Sequence, residues 1–153
     1  MTTASGQETI RDTRWVNALP FAAVFAAQLA HLAEHIFVKV FGAPLIGAAA
    51  NNEFTHLAFN SVIALASVFL VINFRYNPWV YPLAVLAVFH MFEHVYIYGH
   101  HMSTGIVGGP GLLGVGGVIG LIPLERVDLH NVYNGFEMIF IVLGLSFEIE
   151  DAQ

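Results

Sequence analysis

Apolar and polar positions along this chain occur in long blocks rather than in short alternation. Four apolar blocks of about 20 residues, the length that crosses a bilayer as an α-helix, are separated by stretches carrying charge, Asn, Pro or Gly. The pattern predicts transmembrane helices at roughly 17–41, 54–73, 79–99 and 128–147. We therefore expect an all-α integral membrane protein.

Local signals support the predicted ends of these helices. Asn52 and Glu53 precede the second block and supply an N-cap and an acidic first turn. Asp128 could do the same for the fourth block. Asn77 and Pro78 break the chain between the second and third blocks, and proline suits the first turn of a helix.

The composition agrees with a membrane protein and excludes several kinds of site. Only 10% of the residues are charged and 57% are hydrophobic, whereas an average soluble domain carries about 25% charged residues. With no cysteine, the chain has no disulfides, thiolate metal sites or iron–sulfur clusters. We expect the lipid bilayer to surround the protein, and we expect no nucleic-acid partner.

The basic residues predict an orientation in the membrane. Arg11 and Arg14 precede the first helix, and Arg75 lies between the second and third. Lys39 and Arg126 fall on the other side, so the bias is three to two. Because basic residues favour the cytoplasmic side, we expect both termini in the cytoplasm, a short cytoplasmic tail before the first helix, and location in an inner or plasma membrane.

A glycine-rich, apolar loop at about 100–127 separates the last two helices. A solvated flexible linker would carry Ser and charge instead. Irregular backbone at membrane depth is tolerated when it packs on protein or lines a cavity. The composition predicts a lid over the helices; the alternative is an interfacial loop without a fixed structure.

Two short motifs each occur twice. HLAEH, beginning at His31, recurs as HMFEH, beginning at His90. HLAFN, beginning at His56, recurs as HNVYN, beginning at His130. In both halves of the chain, His-x-x-Glu-His lies near the end of one helix and His-x-x-x-Asn at the start of the next.

This duplication predicts the architecture of a single domain over residues 1–153. We expect two parallel two-helix repeats, at about 17–73 and 79–147, related by a pseudo-twofold axis along the membrane normal. The extra residues of the second half fall in the glycine-rich loop. A four-helix bundle with polar groups in its interior is the natural arrangement.

Helical spacing places these polar residues on shared faces. Positions i, i+3 and i+4 lie on one side of a helix, so each helix carries one polar stripe at a similar depth, in the half of the bilayer away from the termini. The predicted metal ligands are His31, Glu34, His35, His56, His90, Glu93, His94 and His130. Asn60 and Asn134 are predicted to support them, by fixing imidazole tautomers or as weak ligands.

The cost of burying carboxylates points to a bound cation. Glu34 and Glu93 have no Lys or Arg at the same depth on the helices, and charged groups inside a membrane usually face a partner or a cofactor. Imidazole and carboxylate groups suit Fe, Cu or Zn. The repeat predicts two such ions, and a dinuclear Fe or Cu oxidoreductase acting on a hydrophobic substrate is the leading hypothesis.

Three other functions are compatible with the same residues. Histidine pairs across the bundle, such as His35 with His94 or His56 with His130, could hold haem in an electron-transfer subunit. His-x-x-Glu-His is also a zinc-hydrolase motif. A non-enzymatic metal-binding accessory subunit is the third alternative, and either a homo-oligomer or a larger membrane complex would fit so small a bundle.

Overall fold

The computed structural model describes residues 4–47 and 51–150, with side chains described from residue 16 onward. Within these residues the chain is helical and contains no strand. The four helices are α1 (Ala4–Phe41), α2 (Glu53–Asn73), α3 (Val80–Thr104) and α4 (Arg126–Glu150). The predicted all-α four-helix architecture is therefore confirmed.

Each helix has the length and composition of a membrane span. The outward faces are apolar: Leu65, Ile72 and Val85 are each at least 70% exposed. A water-facing surface seldom exposes so many large apolar side chains together. The exposed faces thus suit hydrocarbon, while the polar stripes turn inward, as the sequence predicts for an integral membrane protein.

Several helices extend beyond their predicted ends. α1 begins at Ala4, so the polar segment predicted as a tail continues the first helix instead; residues 1–3 lie outside the described residues. α3 continues to Thr104, and α4 runs from Arg126 to Glu150. Hydropathy marks the part of a helix that suits hydrocarbon, whereas backbone hydrogen bonding continues into polar residues, so the helices exceed the apolar blocks.

Polar side chains at the helix starts act largely as predicted. Asn52 caps α2, because its side-chain oxygen accepts the backbone N–H three residues along at 2.9 Å. Asp128 supplies the predicted acidic first turn of α4 but not its N-cap, because the helix already begins at Arg126. It also pairs with Lys39 of α1 at 2.8 Å, which links the end of α1 to the start of α4.

The helices form a ring in which sequence neighbours run antiparallel. α2 packs most extensively on α3, and α1 packs almost as extensively on α4. Contacts between α3 and α4 and between α1 and α2 are smaller, and the diagonal pairs make none between the described backbones. This arrangement is compatible with a twofold relation that exchanges α1 with α3 and α2 with α4.

An apolar core fills the bundle on the side where α1 begins and α4 ends. Phe21 contacts Phe74 edge to face, with ring centroids 5.1 Å apart. The core residues are Phe21, Val24, Ile63, Leu70, Phe74, Val80, Leu83, Ala87 and Ile141. Burial of these side chains supplies packing for the bundle and leaves the polar stripes to meet further along the helices.

Gly144 of α4 packs tightly against Phe21 of α1. A Cβ atom at this position would lie 2.7 Å from Phe21 Cε1. The backbone oxygen of Gly144 accepts the Asn77 side-chain N–H at 2.9 Å, and the same amide donates to Glu148 Oε1 at 2.8 Å. Gly144 therefore lets two helices and the α2–α3 turn pack together.

Replacing Gly144 by alanine is expected to destabilise the bundle by about 1–3 kcal/mol, the usual cost of overpacking a tight interior. Unfolding of the detergent-solubilised protein measures the loss. Gly135→Ala is a matched control, because Gly135 lies on the same helix with no heavy atom within 4 Å of an added Cβ. Equal stability of the two variants would show that the α1–α4 contact is not tight.

The α3–α4 loop covers the outer end of the bundle, which is the end away from the start of α1. Gly109, Gly111 and Gly114 are buried against the helices, whereas Val107 and Leu121 are 73% and 76% exposed. The backbone thus faces the bundle and apolar side chains face outward. A Cβ at Gly111 would overlap a carboxylate oxygen from α3, so glycine allows the loop to approach this closely.

Candidate metal centre

All six histidines of the two repeated motifs converge near the outer end of the bundle. α1 and α3 each contribute two of them, one helical turn apart, and α2 and α4 contribute one each from their first turns. The six are His31, His35, His56, His90, His94 and His130. The depth predicted from helical spacing therefore agrees with their placement.

Three of these rings form the α1/α2 triad, defined as His31, His35 and His56. The centroids of His31 and His35 are 4.6 Å apart. His56 lies 5.6 Å from His31 and 5.2 Å from His35. The first His-x-x-Glu-His motif and the histidine that begins α2 thus make one compact group.

The other three rings form the α3/α4 triad, defined as His90, His94 and His130. The centroid of His94 is 5.1 Å from that of His90 and 4.7 Å from that of His130. His90 and His130 are 5.0 Å apart. This group repeats the shape of the α1/α2 triad with the corresponding residues of the second half.

The two triads touch through two equivalent ring pairs. His35 stacks on His130 at 5.8 Å with 18° between the ring planes. His56 stacks on His94, also at 5.8 Å, with 10° between the planes. These pairs exchange under the twofold relation suggested by the motifs. The imidazoles therefore form one continuous cluster of two triads.

The α3/α4 triad has the arrangement of metal ligands. One ring nitrogen from each of its three histidines lies within 4.8 Å of the other two, and the three residues are at most 1% exposed. Nε2 of His90 and His130 and both ring nitrogens of His94 are buried without a hydrogen-bond partner among the described residues. Such unpaired atoms are costly, and a cation bound between them would remove that cost.

The tautomer of the two helix-start histidines follows from their contacts. His130 Nδ1 lies 2.7 Å from the backbone oxygen of Arg126, and His56 Nδ1 lies 2.9 Å from that of Asn52. A carbonyl oxygen only accepts, so Nδ1 carries the proton in both rings. Their Nε2 atoms are left as lone-pair donors, the form that binds metal ions.

A buried carboxylate orients His90. Nδ1 of His90 lies 3.1 Å from Glu137 Oε1, and both side chains are fully buried. Gln28 Nε2 donates to Glu137 Oε2 at 2.5 Å and to Asn134 Oδ1 at 2.6 Å. Metal-ligating histidines commonly donate their second nitrogen to a carboxylate in this way, so Glu137 turns His90 Nε2 toward the triad.

The α1/α2 triad is held by different contacts. Nε2 of His31 lies 3.2 Å from Nε2 of His35. The amide of Asn60 donates to His31 Nε2 at 3.3 Å and to the backbone oxygen of His56 at 2.9 Å. These nitrogens bond to one another and to an amide, and no described carboxylate bonds to this triad as Glu137 does to His90. The two halves are therefore similar in shape but different in chemistry.

The two motif glutamates contact the loops instead of joining the described histidine groups. Glu93 accepts the Leu112 N–H at Oε1, 3.0 Å away, and the Tyr133 hydroxyl at Oε2, 3.3 Å away. Glu34 Oε2 accepts the Ile46 N–H at 3.1 Å. Neighbouring positions on a helix are rotated by about 100°, so the glutamate and the histidine after it point differently. Direct ligation by these glutamates stays a prediction.

The predicted asparagines take separate places. Asn60 contacts an imidazole of the α1/α2 triad directly. Asn134 contacts Gln28 rather than a ring, and it reaches His90 only through Gln28 and Glu137. The support of the α3/α4 triad therefore lies one contact further from the histidines than the sequence motif implies.

The site predicted from the sequence does not include Gln28, Glu137 or Tyr133, which the structure places beside it. Gln28 lies three positions before His31, and Glu137 lies three positions after Asn134, so both continue the polar stripes by one turn toward the core. Tyr133 lies 5.0 Å from His90, ring to ring. Extending each stripe at helical spacing would have found the first two residues.

Comparison with protein-family models, curated proteins and solved structures finds no match for this chain. The functional argument therefore rests on the residues of the cluster and on their geometry.

Proposed function

We propose that this chain is a membrane-embedded metalloprotein that binds one transition-metal ion at the α3/α4 triad and a second at the α1/α2 triad. The observation that carries the proposal is the convergence of buried, unpartnered nitrogens of His90, His94 and His130. Buried imidazole nitrogens without hydrogen-bond partners are costly, and a cation bound between them would remove that cost.

We propose further that the ions are Fe or Cu and that the protein is a dinuclear oxidoreductase. Redox-active ions would supply electron exchange with a substrate, and the two triads are in ring contact, which suits paired ions. The cluster lies within helices whose outer faces are apolar. This placement supports a hydrophobic substrate that arrives from the bilayer.

The proposed setting is an inner or plasma membrane with both termini in the cytoplasm, which places the cluster toward the opposite face. The basic residues around the first three helices support this orientation. A bundle of this size would function as a homo-oligomer or as part of a larger membrane complex, since its apolar exterior can contact other membrane helices as readily as lipid.

The geometry favours metal ions over haem and over a zinc-hydrolase site. Neighbouring rings within and across the triads have centroids 4.6 to 6.5 Å apart, which leaves no gap for a porphyrin between them. In a hydrolase the motif glutamate would activate water at the metal, whereas both oxygens of Glu93 and one oxygen of Glu34 already accept hydrogen bonds.

Metal analysis of the purified protein, combined with an optical spectrum, tests this function. We expect about two Fe or Cu ions per chain, as in paired-metal sites, no Soret band, and an absorption change that reverses on reduction and reoxidation. A Soret band would replace this proposal with haem binding. Zinc alone would contradict the oxidoreductase, and protein that binds no metal after incubation with each ion would contradict the metalloprotein.

A further inference from the structure

A cavity of about 680 Å³ lies at the outer end of the bundle, beside the histidine cluster; it is called the outer cavity below. His35, His56 and His130 line it, together with Val107 and Val115 of the α3–α4 loop. His35 and His56 belong to the α1/α2 triad, and His130 belongs to the α3/α4 triad. The outer cavity therefore connects the space under the loop with at least one histidine of each triad.

The remaining histidines of the α3/α4 triad do not line the outer cavity. His90 and His94 are 0% and 1% exposed, and beyond the cluster on their other side lies the apolar core. A solute that reaches this triad from the outer cavity meets His130 first. The outer cavity is thus well placed as an access route.

The charge of the outer cavity favours a cation. Glu34, Glu53 and Glu125 line it, and Arg126 is the basic residue of its lining. Arg126 binds Glu53 through both nitrogens, at 2.8 Å and 2.6 Å, so this pair is neutral as a unit. Two carboxylates remain, and clefts lined with charge of one sign concentrate the opposite ion.

Glu34 lines this cavity and has one carboxylate oxygen without a hydrogen-bond partner among the described residues. The residue is 5% exposed, its Oε2 accepts the Ile46 N–H, and its Oε1 is buried without a partner among the described residues. Glu93, at the equivalent motif position, has both oxygens occupied by Leu112 and Tyr133. Glu34 therefore has an oxygen lone pair available to a cation, whereas Glu93 does not.

We infer that the outer cavity is the route by which a divalent transition-metal cation reaches the histidine cluster, and that Glu34 Oε1 binds the cation on the way. The cation passes from this carboxylate to His35, His56 and His130, which line the same cavity. The inference rests on the proposed metal-binding function. It adds the side of access and a transient ligand that the cluster itself does not require.

The rate of metal uptake tests the route separately from metal binding. Metal-free protein in lipid nanodiscs is mixed rapidly with Co²⁺, and the rise of the cobalt–imidazole absorption is followed to completion. We expect Glu34→Gln to slow uptake by about tenfold, within the range of electrostatic focusing, while the final cobalt content stays unchanged. Glu125→Gln, at an exposed position of the lining, should slow uptake to a smaller extent.

Glu150→Gln is the matched control, because it removes one exposed carboxylate at the opposite end of α4; its uptake rate should equal that of the unaltered protein. Uptake by Glu34→Gln and Glu125→Gln at the unaltered rate would overturn the route and favour an organic ligand in the cavity. Lower final cobalt content in Glu34→Gln would make Glu34 a permanent ligand. An unaltered protein that takes up no cobalt would overturn the proposed function itself.

Discussion

Replacement of His94 by alanine is expected to remove metal from the α3/α4 triad and to lower the metal content by one ion per chain. His94 is the member of this triad whose two ring nitrogens both lack partners, so its imidazole has no other described bond to keep. Loss of a supporting residue alone typically weakens metal binding by about 10–100-fold, and loss of a direct ligand should exceed that. Competition with a chelator of known affinity measures the change.

His101→Ala is the control for this experiment, because His101 lies near the end of the same helix and bonds to the backbone of Ile106. Its metal content should match that of the unaltered protein. If His94→Ala kept its full metal content and affinity, the α3/α4 triad would not be a metal site, and its unpaired nitrogens would have to be satisfied by ordered water.

Replacement of Glu137 by glutamine is expected to weaken metal binding at the same triad by about 10–100-fold, without removing any ligand. The carboxylate accepts from His90 Nδ1 and from Gln28. An amide in its place puts a second donor among these groups and loosens the orientation of His90. The Co²⁺ spectrum of the variant should also shift, because the ligand geometry changes while the ligand set does not.

Glu148→Gln separates this effect from simple destabilisation. Glu148 is also a buried carboxylate on α4, 3% exposed, and it accepts from Tyr76 and Asn77 at the other end of the bundle. We expect a loss of stability in both variants and a loss of metal affinity in Glu137→Gln alone. Equal affinities in the two variants would mean that Glu137 does not position His90.

The fold was predictable from the sequence because membrane helices show themselves in hydropathy. Apolar blocks of spanning length mark the helices whatever they pack against, and Asn52 identified the start of α2 through its own local bond. The extension of α1 to Ala4 was not predicted. Polar residues are compatible with both a helix and a tail, so hydropathy cannot distinguish the two.

The histidine cluster was predictable because its spacing repeats, whereas the contacts of the glutamates were not. His-x-x-Glu-His places its histidines on one face by helical geometry alone. The bond from Leu112 to Glu93 depends on how a long loop folds back, and on the absence of a side chain at Gly111. Such contacts join distant parts of the chain and leave no periodic signal.

The difference between the two triads also has no signal in the repeated motifs. Glu137 and Gln28 support the α3/α4 triad, and each lies outside the two repeated motifs, His-x-x-Glu-His and His-x-x-x-Asn. The matched residues predict a symmetrical site, because they are the part of the chain that is symmetrical. Residues outside the repeated motifs therefore make the contacts that distinguish one triad from the other.

The apolar core on one side of the cluster also bears on how much of the membrane voltage a cation must cross to reach the histidines. Voltage across a bilayer falls over its low-dielectric interior, and moving a charge through the full drop costs about 2.3 kcal/mol per 100 mV. The layer that includes Phe21, Ile63, Leu70 and Ile141 lies between the cluster and the end where α1 begins. A cation that reaches the imidazoles through the outer cavity crosses little of this field, so the energised state of the membrane should scarcely alter how tightly it is held.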